Sequence, residues 1–157
     1  MVLDKTTFLL LGTSKLFTCK LPRRASTPEH PKQASVQDIL DLGSDGVEGI
    51  RIVSDLATSV VCVAVGKVVR IGANRKTDDK SSKSRFLWKE ITTDEEITSI
   101  ACNGDVLALG EKSGQIRLYY DIPNFLEKDL PPTESSVSWH QSSVNSLQFT
   151  VDGKLHF

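Results

Sequence analysis

The most regular pattern of apolar and polar residues covers residues 97–120, ITSIACNGDVLALGEKSGQIRLYY. In residues 97–102, the side chains at 97, 99 and 101 alternate with those at 98, 100 and 102, as on the two faces of a strand. Asn103 and Gly104 then supply a turn, because both tolerate the positive φ that hairpin loops require. A short apolar segment follows at 106–110, and alternation resumes at 115–120. The pattern predicts three consecutive antiparallel strands.

A second group of three strands is predicted over residues 49–71. Its centre, VVCVAV at 60–65, is entirely apolar and mostly β-branched, which is typical of a strand that is buried on both faces. Residues 49–54 precede it as an inner strand, and a tight turn at Gly66 leads into a third strand at 68–71.

The remaining segments are shorter. Residues 8–11 and 15–21 predict a hairpin, whereas residues 36–42 fit either a short helix or an outer strand. Residues 22–34 contain three prolines and predict an exposed loop. A fourth strand for the 97–120 group is predicted at 135–139, after an irregular segment at 123–132, where prolines interrupt the pattern.

A polar segment at residues 73–85, ANRKTDDKSSKSR, predicts a long loop before a candidate outer strand at 86–88. Two aspartates offset its basic residues only in part, so the loop is a candidate contact for RNA phosphates or for an acidic partner. A solvated surface loop is the alternative. The basic residues are Arg75, Lys76, Lys80, Lys83 and Arg85.

The predicted strand groups repeat at a regular spacing. Ala64 and Ala108 hold equivalent places in middle strands and lie 44 residues apart, and Ile100 and Leu147 in first strands lie 47 residues apart. Spacings of about 40–45 residues with four short strands per unit are typical of β-propeller blades. The sequence therefore predicts an all-β fold: a partial propeller of about three blades in an incomplete ring. The blade parts are expected at roughly 1–42, 43–91, 92–139 and 140–157.

Composition adds few constraints on function. The chain has 157 residues, of which 39% are hydrophobic and 25% are charged, and this predicts a globular protein with one moderate core. The net charge of −1 gives no attraction of the whole chain to nucleic acid or anionic membranes, so such contacts would need a local patch. No targeting or membrane-anchoring segment is predicted, and both ends interrupt a repeat, as expected of a fragment.

No candidate catalytic or ligand site is visible in the sequence. The three cysteines lack metal-binding spacing and are predicted to be small core residues in a reducing compartment. His30 lies in the proline-rich loop without a second ligand nearby. The chain lacks a glycine-rich phosphate loop, a nucleophile paired with a base, and carboxylates in a plausible site. We therefore expect a protein that is not an enzyme and has no cofactor, metal or small-molecule substrate.

Residues 107–119, LALGEKSGQIRLY, resemble the second and third strands of a WD repeat, in which Leu-Ala-Ser-Gly precedes Asp-Gly-Thr-Ile, a basic residue, an aliphatic residue and Trp-Asp. Residues 140–149, HQSSVNSLQF, resemble the opening of the next repeat, with Trp139 where the family has Gly. In the family, the His of this opening joins a buried hydrogen-bond network. The resemblance thus implies structural roles for His140, Trp139 and Tyr119.

In the family, this network is formed by the His, a strand Ser, a turn Asp and the Trp. The repeat expected at 92–139 has other residues at all four positions: Thr93, Leu109, Ser113 and Tyr119. The repeat is therefore predicted to depend on apolar packing.

Four features occur in the same order as in a particular WD-repeat family: KLP after the first hairpin, the basic Lys/Ser-rich loop, the GEKSGQIRLYY strand pair, and Trp-His before SSVNSLQFTVDGKL. Together they resemble the N-terminal propeller of the nucleolar WD-repeat subunit of the UtpA (t-UTP) complex, part of the small-subunit processome. The resemblance implies a scaffold in the nucleus and nucleolus that supports ribosome biogenesis, pre-rRNA processing and rDNA transcription. The implied partners are other WD-repeat and helical subunits and pre-rRNA, without a membrane.

Other propeller classes fit less well. A ubiquitin-ligase receptor typically carries Trp-Asp-x-Arg after the third strand, whereas Tyr119 and Tyr120 are followed here by Asp121 and Ile122. A glycosidase-type propeller would need repeated Ser-x-Asp-x-Gly-x-Thr-Trp turns and clustered acids, and the sequence has neither. A generic adaptor for trafficking or signalling proteins remains the alternative function.

Overall fold

The computed structural model describes residues 7–12, 14–21, 35–42, 49–55, 58–75, 85–128, 130–138 and 140–157. Those residues form antiparallel sheets whose strands follow one another in chain order, with one short helix, so the fold is all-β as predicted. Two compact units divide the chain, Met1–Glu48 and Gly49–Phe157.

The first unit contains a three-stranded sheet in the order β1-β2-β3. Its strands are β1 (Thr7–Leu11), β2 (Lys15–Lys20) and β3 (Ser35–Asp41). The predicted hairpin is confirmed as β1 and β2, and the segment with two possible structures is a strand rather than a helix. Leu9 and Leu16 are buried. The predicted proline-rich loop lies outside the described residues.

The second unit begins with a four-stranded sheet in the order β4-β5-β6-β7. The strands are β4 (Arg51–Asp55), β5 (Val60–Val65), β6 (Val68–Arg75) and β7 (Arg85–Thr92). All but the last residue of β5 are buried, which confirms the predicted strand with two covered faces.

The predicted loop at 73–85 is wrong at both ends, because the ladder between β6 and β7 continues through Ala73 and reaches Arg75 and Arg85. Gly72 pairs with Trp88, whose indole carbons lie 2.5–2.7 Å from the position that a Cβ on Gly72 would take. The indole therefore covers the glycine backbone, and its ring stacks on Phe86 at a centroid distance of 5.7 Å.

Replacing Gly72 with alanine is expected to lower the free energy of unfolding by about 1–3 kcal/mol, because the added methyl group would displace the indole of Trp88. Urea denaturation monitored by circular dichroism measures the loss. In a Trp88→Ala background the same substitution should cost much less, since the obstructing ring is gone. Equal losses in both backgrounds would contradict the proposed contact.

A second four-stranded sheet follows in the order β8-β9-β10-β11. Its strands are β8 (Ile97–Cys102), β9 (Val106–Glu111), β10 (Gln115–Tyr120) and β11 (Thr133–Ser138). The three strands predicted over 97–120 and the fourth strand are confirmed. At the β8–β9 turn the side-chain oxygen of Asn103 accepts a hydrogen bond from the Val106 amide at 2.9 Å, and Gly104 has a φ of 88°.

The predicted irregular segment at 123–132 is wrong in its first half, which belongs to helix α1 (Ile122–Lys128). Pro123 is tolerated because it lies in the first turn, where a backbone N–H has no intrahelical acceptor. Ile122, Phe125 and Leu126 are the buried residues of the helix, at the i, i+3, i+4 spacing of an amphipathic face. This face packs into the core beside the sheets.

The chain ends in a two-stranded hairpin of β12 (Gln148–Phe149) and β13 (Leu155–His156). Two backbone hydrogen bonds close its turn, since the Gly153 amide donates to the Thr150 carbonyl at 2.9 Å and the Thr150 amide donates to the Lys154 carbonyl at 2.8 Å. Gly153 has a positive φ of 80°.

Two apolar clusters hold the second unit together. One lies between the two four-stranded sheets and α1; Cys62, Ile71, Leu107, Leu109 and Tyr119 are among its members. The other joins the β8–β11 sheet to the segment that follows it, through Ala101, Ala108, Ile116, Val144 and Leu147. Successive residues of β9 thus contribute to opposite faces of the sheet, as the alternation of a strand requires. The first strands of the sheets, β4 and β8, are in contact, and β8 also contacts β12.

Candidate functional site

The structure brings two of the five predicted basic contact residues together. Arg75 and Arg85 are cross-strand partners at the end of the β6–β7 ladder. Lys76, Lys80 and Lys83 lie in the connection between these strands, outside the described residues. Two cations at directly opposite positions of an antiparallel ladder disfavour pairing.

The most concentrated charge cluster of the second unit surrounds Arg117, on β10. Its Nε donates to a carboxylate oxygen of Glu111 at 2.6 Å, and Glu111 is completely buried at the end of β9. One terminal nitrogen donates to Glu134 on β11 at 2.9 Å, and the other donates to Asp94 at 3.2 Å. Three carboxylates, from β9, β11 and the β7–β8 connection, therefore meet at one guanidinium.

The three carboxylates affect the pKa of Arg117. Burial alone would lower the pKa of Arg117, but the hydrogen bonds and negative charges of Glu134, Glu111 and Asp94 outweigh it and raise the pKa above its ordinary value. These carboxylates therefore stabilise the charged form of the guanidinium. Burial, followed by the charge of Glu134, also raises the pKa of the neighbouring Tyr119.

The cluster adds a buried ion pair to the apolar packing that was predicted for this part of the chain and that the two apolar clusters confirm. Glu111 follows the predicted apolar segment at 106–110; in the structure it is the last residue of β9, where Arg117 binds its carboxylate. The sequence contains a signal for the pairing of Glu111 with Arg117. A tight turn at 112–114 places these two residues at diagonal positions on neighbouring strands, where opposite charges attract.

Thr93, at one of the four positions compared with the WD pattern, lies at a junction between the two four-stranded sheets. Thr93 is buried, and its hydroxyl donates to the Glu95 carbonyl at 2.7 Å. Its amide donates to the Lys67 carbonyl at 2.8 Å, while the Ile97 amide donates to the Gly66 carbonyl at 2.7 Å. These bonds join the β5–β6 turn to the start of the next sheet.

The three predicted structural residues differ in their surroundings. Tyr119 is buried in the cluster between the two sheets. His140 is exposed, and its ring lies edge-on to Phe157 with centroids 5.4 Å apart. Trp139 lies outside the described residues. The buried network implied for His140 thus stays a prediction.

Two concave surfaces of the second unit were not foreseen from the sequence. A polar groove of about 280 Å³ lies along β4, β8 and residues 145–147. Arg51 lines this groove and donates from Nε to the Thr98 carbonyl at 2.9 Å. A mainly apolar cavity of about 290 Å³ lies between α1 and the β4–β7 sheet, with Val60, Leu87 and Leu126 in its lining. Both surfaces could accept part of a protein partner.

Across the described ranges, no three His, Cys, Asp or Glu side chains are grouped so that they could hold a metal ion, and no helix is long and apolar enough to cross a membrane. No protein-family model and no curated protein matches this chain.

Proposed function

We propose that this chain is part of a WD-repeat β-propeller that serves as a non-enzymatic scaffold in ribosome biogenesis. The observation that carries the proposal is the pair of consecutive four-stranded antiparallel sheets, β4–β7 and β8–β11, which share one apolar core. Each sheet is a meander in chain order, as in a propeller blade.

The contacts between first strands support the propeller architecture. In a propeller the first strand of each blade lies nearest the central axis, so successive first strands are neighbours. Here β8 contacts both β4 and β12, which begin the preceding and following sheets. On this proposal, residues 43–91 and 92–139 are two blades, and residues 1–42 and 140–157 belong to adjoining ones.

The specific function rests on the ordered resemblance to the UtpA subunit. We propose a location in the nucleus and nucleolus, where the protein would connect WD-repeat and helical subunits with pre-rRNA. In that role it would support small-subunit processome assembly and rDNA transcription. The binding surfaces would be loops and blade edges, which suits a protein without catalytic chemistry.

Affinity purification of the full-length protein followed by mass spectrometry tests the function. Recovery of UtpA subunits with pre-rRNA is the expected result. Cullins with their adaptors, or vesicle-coat proteins without pre-ribosomal components, would instead indicate the generic adaptor. The groove beside Arg51 and the cavity beside α1 are the described surfaces that would suit such protein partners.

Changing the five basic residues at the end of β6, in the β6–β7 connection and at the start of β7 to serine is expected to weaken crosslinking of the full-length protein to pre-rRNA. The salt dependence of RNA binding should also become shallower, by about 0.7 in log–log slope for each phosphate that the protein no longer neutralises. The changed residues are Arg75, Lys76, Lys80, Lys83 and Arg85.

A matched control removes the same positive charge from other parts of the surface. Its changed residues are the half-buried Lys15 and the exposed Lys20, Lys112, Lys128 and Lys154. Circular dichroism establishes that both variants fold. If both variants crosslink equally weakly, the effect is one of net charge, and the β6–β7 connection is not an RNA contact.

A further inference from the structure

Two cysteines occupy facing positions between the two sheets of the second unit. Cys62 is completely buried in the middle of β5 and belongs to the cluster between the sheets. Cys102 is the last residue of β8, is partly exposed, and packs against the same cluster. Both are free thiols, their strands β5 and β8 are in contact, and the two side chains interact with each other.

The backbone around this pair is closely packed. A Cβ on Gly104, in the turn after Cys102, would lie 2.5 Å from the Thr58 side chain and 2.6 Å from a carboxylate oxygen of Asp55. The β8–β9 turn is therefore seated against the β4–β5 turn. Asp55 in turn accepts hydrogen bonds from the amide and hydroxyl of Thr58, at 3.0 and 2.5 Å. The turn that follows Cys102 is thus packed against Asp55 and Thr58, beside the strand that carries Cys62.

The surroundings of the two sulfurs are unequal. The neighbouring Cys62 thiol and the Gly104 amide, which donates to the Cys102 sulfur at 3.3 Å, lower the pKa of Cys102 despite its burial. The interaction with Cys102, together with burial, raises the pKa of Cys62. Cys102 is therefore the more nucleophilic and the more accessible sulfur.

We propose that Cys102 and Cys62 form a redox pair that a hydroperoxide converts into a disulfide joining the two sheets. The Cys102 thiolate attacks the outer peroxide oxygen, the O–O bond breaks, and the products are a Cys102 sulfenic acid and an alcohol, or water when the oxidant is hydrogen peroxide. The Cys62 sulfur then attacks the Cys102 sulfur, and the S–O bond breaks with loss of water.

The overall reaction balances. Two thiols and one hydroperoxide give one disulfide, one alcohol or water, and one further water. Each sulfur loses one electron, and the peroxide gains two. A thiol reductant such as glutathione reverses the step by thiol–disulfide exchange. The new bond would fix β5 to β8 and reduce relative motion of the two sheets.

The chain permits a clean experiment because each cysteine falls in its own tryptic peptide. Cys62 lies in residues 52–67, Cys102 in 90–112 and Cys19 in 16–20. Purified protein is treated with hydrogen peroxide, alkylated, digested without reductant and examined by mass spectrometry. We expect a peptide joining 52–67 to 90–112 that is two hydrogens lighter than the sum of its parts and disappears with dithiothreitol. Cys19, on β2, should remain alkylated and serves as the internal reference.

Variants test the order of the steps. In Cys62→Ala the sulfenic acid at Cys102 has no resolving thiol, so dimedone should label peptide 90–112. In Cys102→Ser neither the disulfide nor dimedone labelling of Cys62 is expected. Oxidation of the wild-type chain should raise Tm by about 10 °C, because the crosslink restricts the unfolded chain. The proposal fails if the wild-type protein, its fold verified by circular dichroism, keeps both thiols alkylatable or forms only disulfides between molecules.

Discussion

Replacing Arg117 with alanine is expected to lower the free energy of unfolding by about 3–5 kcal/mol, because the change leaves the buried carboxylate of Glu111 without its cation. Arg117 is itself only 17% exposed, so water cannot readily replace it. The variant also loses the links to Glu134 and Asp94. Urea denaturation of the chain, followed by circular dichroism and tryptophan fluorescence, measures the loss.

The pair of Arg70 and Glu90 supplies a matched control. It joins β6 to β7 at a similar distance, 3.0 Å, but its side chains are 34% and 51% exposed. Arg70→Ala should therefore cost about 0–1 kcal/mol. Adding Glu111→Gln to Arg117→Ala should recover much of the loss, since no buried charge is left unpaired. If Arg117→Ala costs no more than Arg70→Ala, the account of the buried cluster is incorrect.

Replacing Gly114 with alanine is expected to lower the free energy of unfolding by about 2–5 kcal/mol, the sum of a backbone cost and a steric cost. The residue has a φ of +90°, which L residues with a side chain rarely adopt. A Cβ there would also meet the backbone carbonyls of His140 and Ser142, the latter oxygen at 2.8 Å. Since these obstructing atoms are backbone, they cannot move aside as a flexible side chain could.

Gly66→Ala separates the two contributions. Gly66 has a φ of +58°, and nothing lies within 4 Å of the Cβ it would gain. Only the backbone cost of about 1–2 kcal/mol should remain. Thermal unfolding of both variants gives the comparison. Similar losses would mean that the chain at His140 and Ser142 can move away from the β9–β10 turn.

Strands and turns that are specified by their own residues could be predicted from the sequence. The β-branched residues of β5 and the turn at Asn103 and Gly104 are local signals, and the structure confirms both. Helix α1 was missed because Pro123 resembles a helix breaker. Its formation depends on burying Phe125 and Leu126 against other elements, which a local pattern does not reveal.

The candidate sites were predicted less completely, for a related reason. The basic residues at 75–85 stand out by composition, and the structure adds that Arg75 and Arg85 face each other across the ladder. The partnership of Glu111 with Arg117 was missed because a charged residue is usually exposed. Whether it can be buried depends on which side chain a neighbouring strand supplies. The Cys62 and Cys102 pair arises only when two sheets pack together.

The Glu111–Arg117 pair also bears on how the β9–β10 hairpin reaches its correct alignment. Successive side chains of a strand project to opposite faces, so sliding β10 past β9 by one residue would turn the guanidinium away from the acid. Apolar residues alone would tolerate such slippage better, because aliphatic side chains can substitute for one another. The buried charge therefore penalises misaligned forms during folding and favours the single alignment in which Glu111 is neutralised.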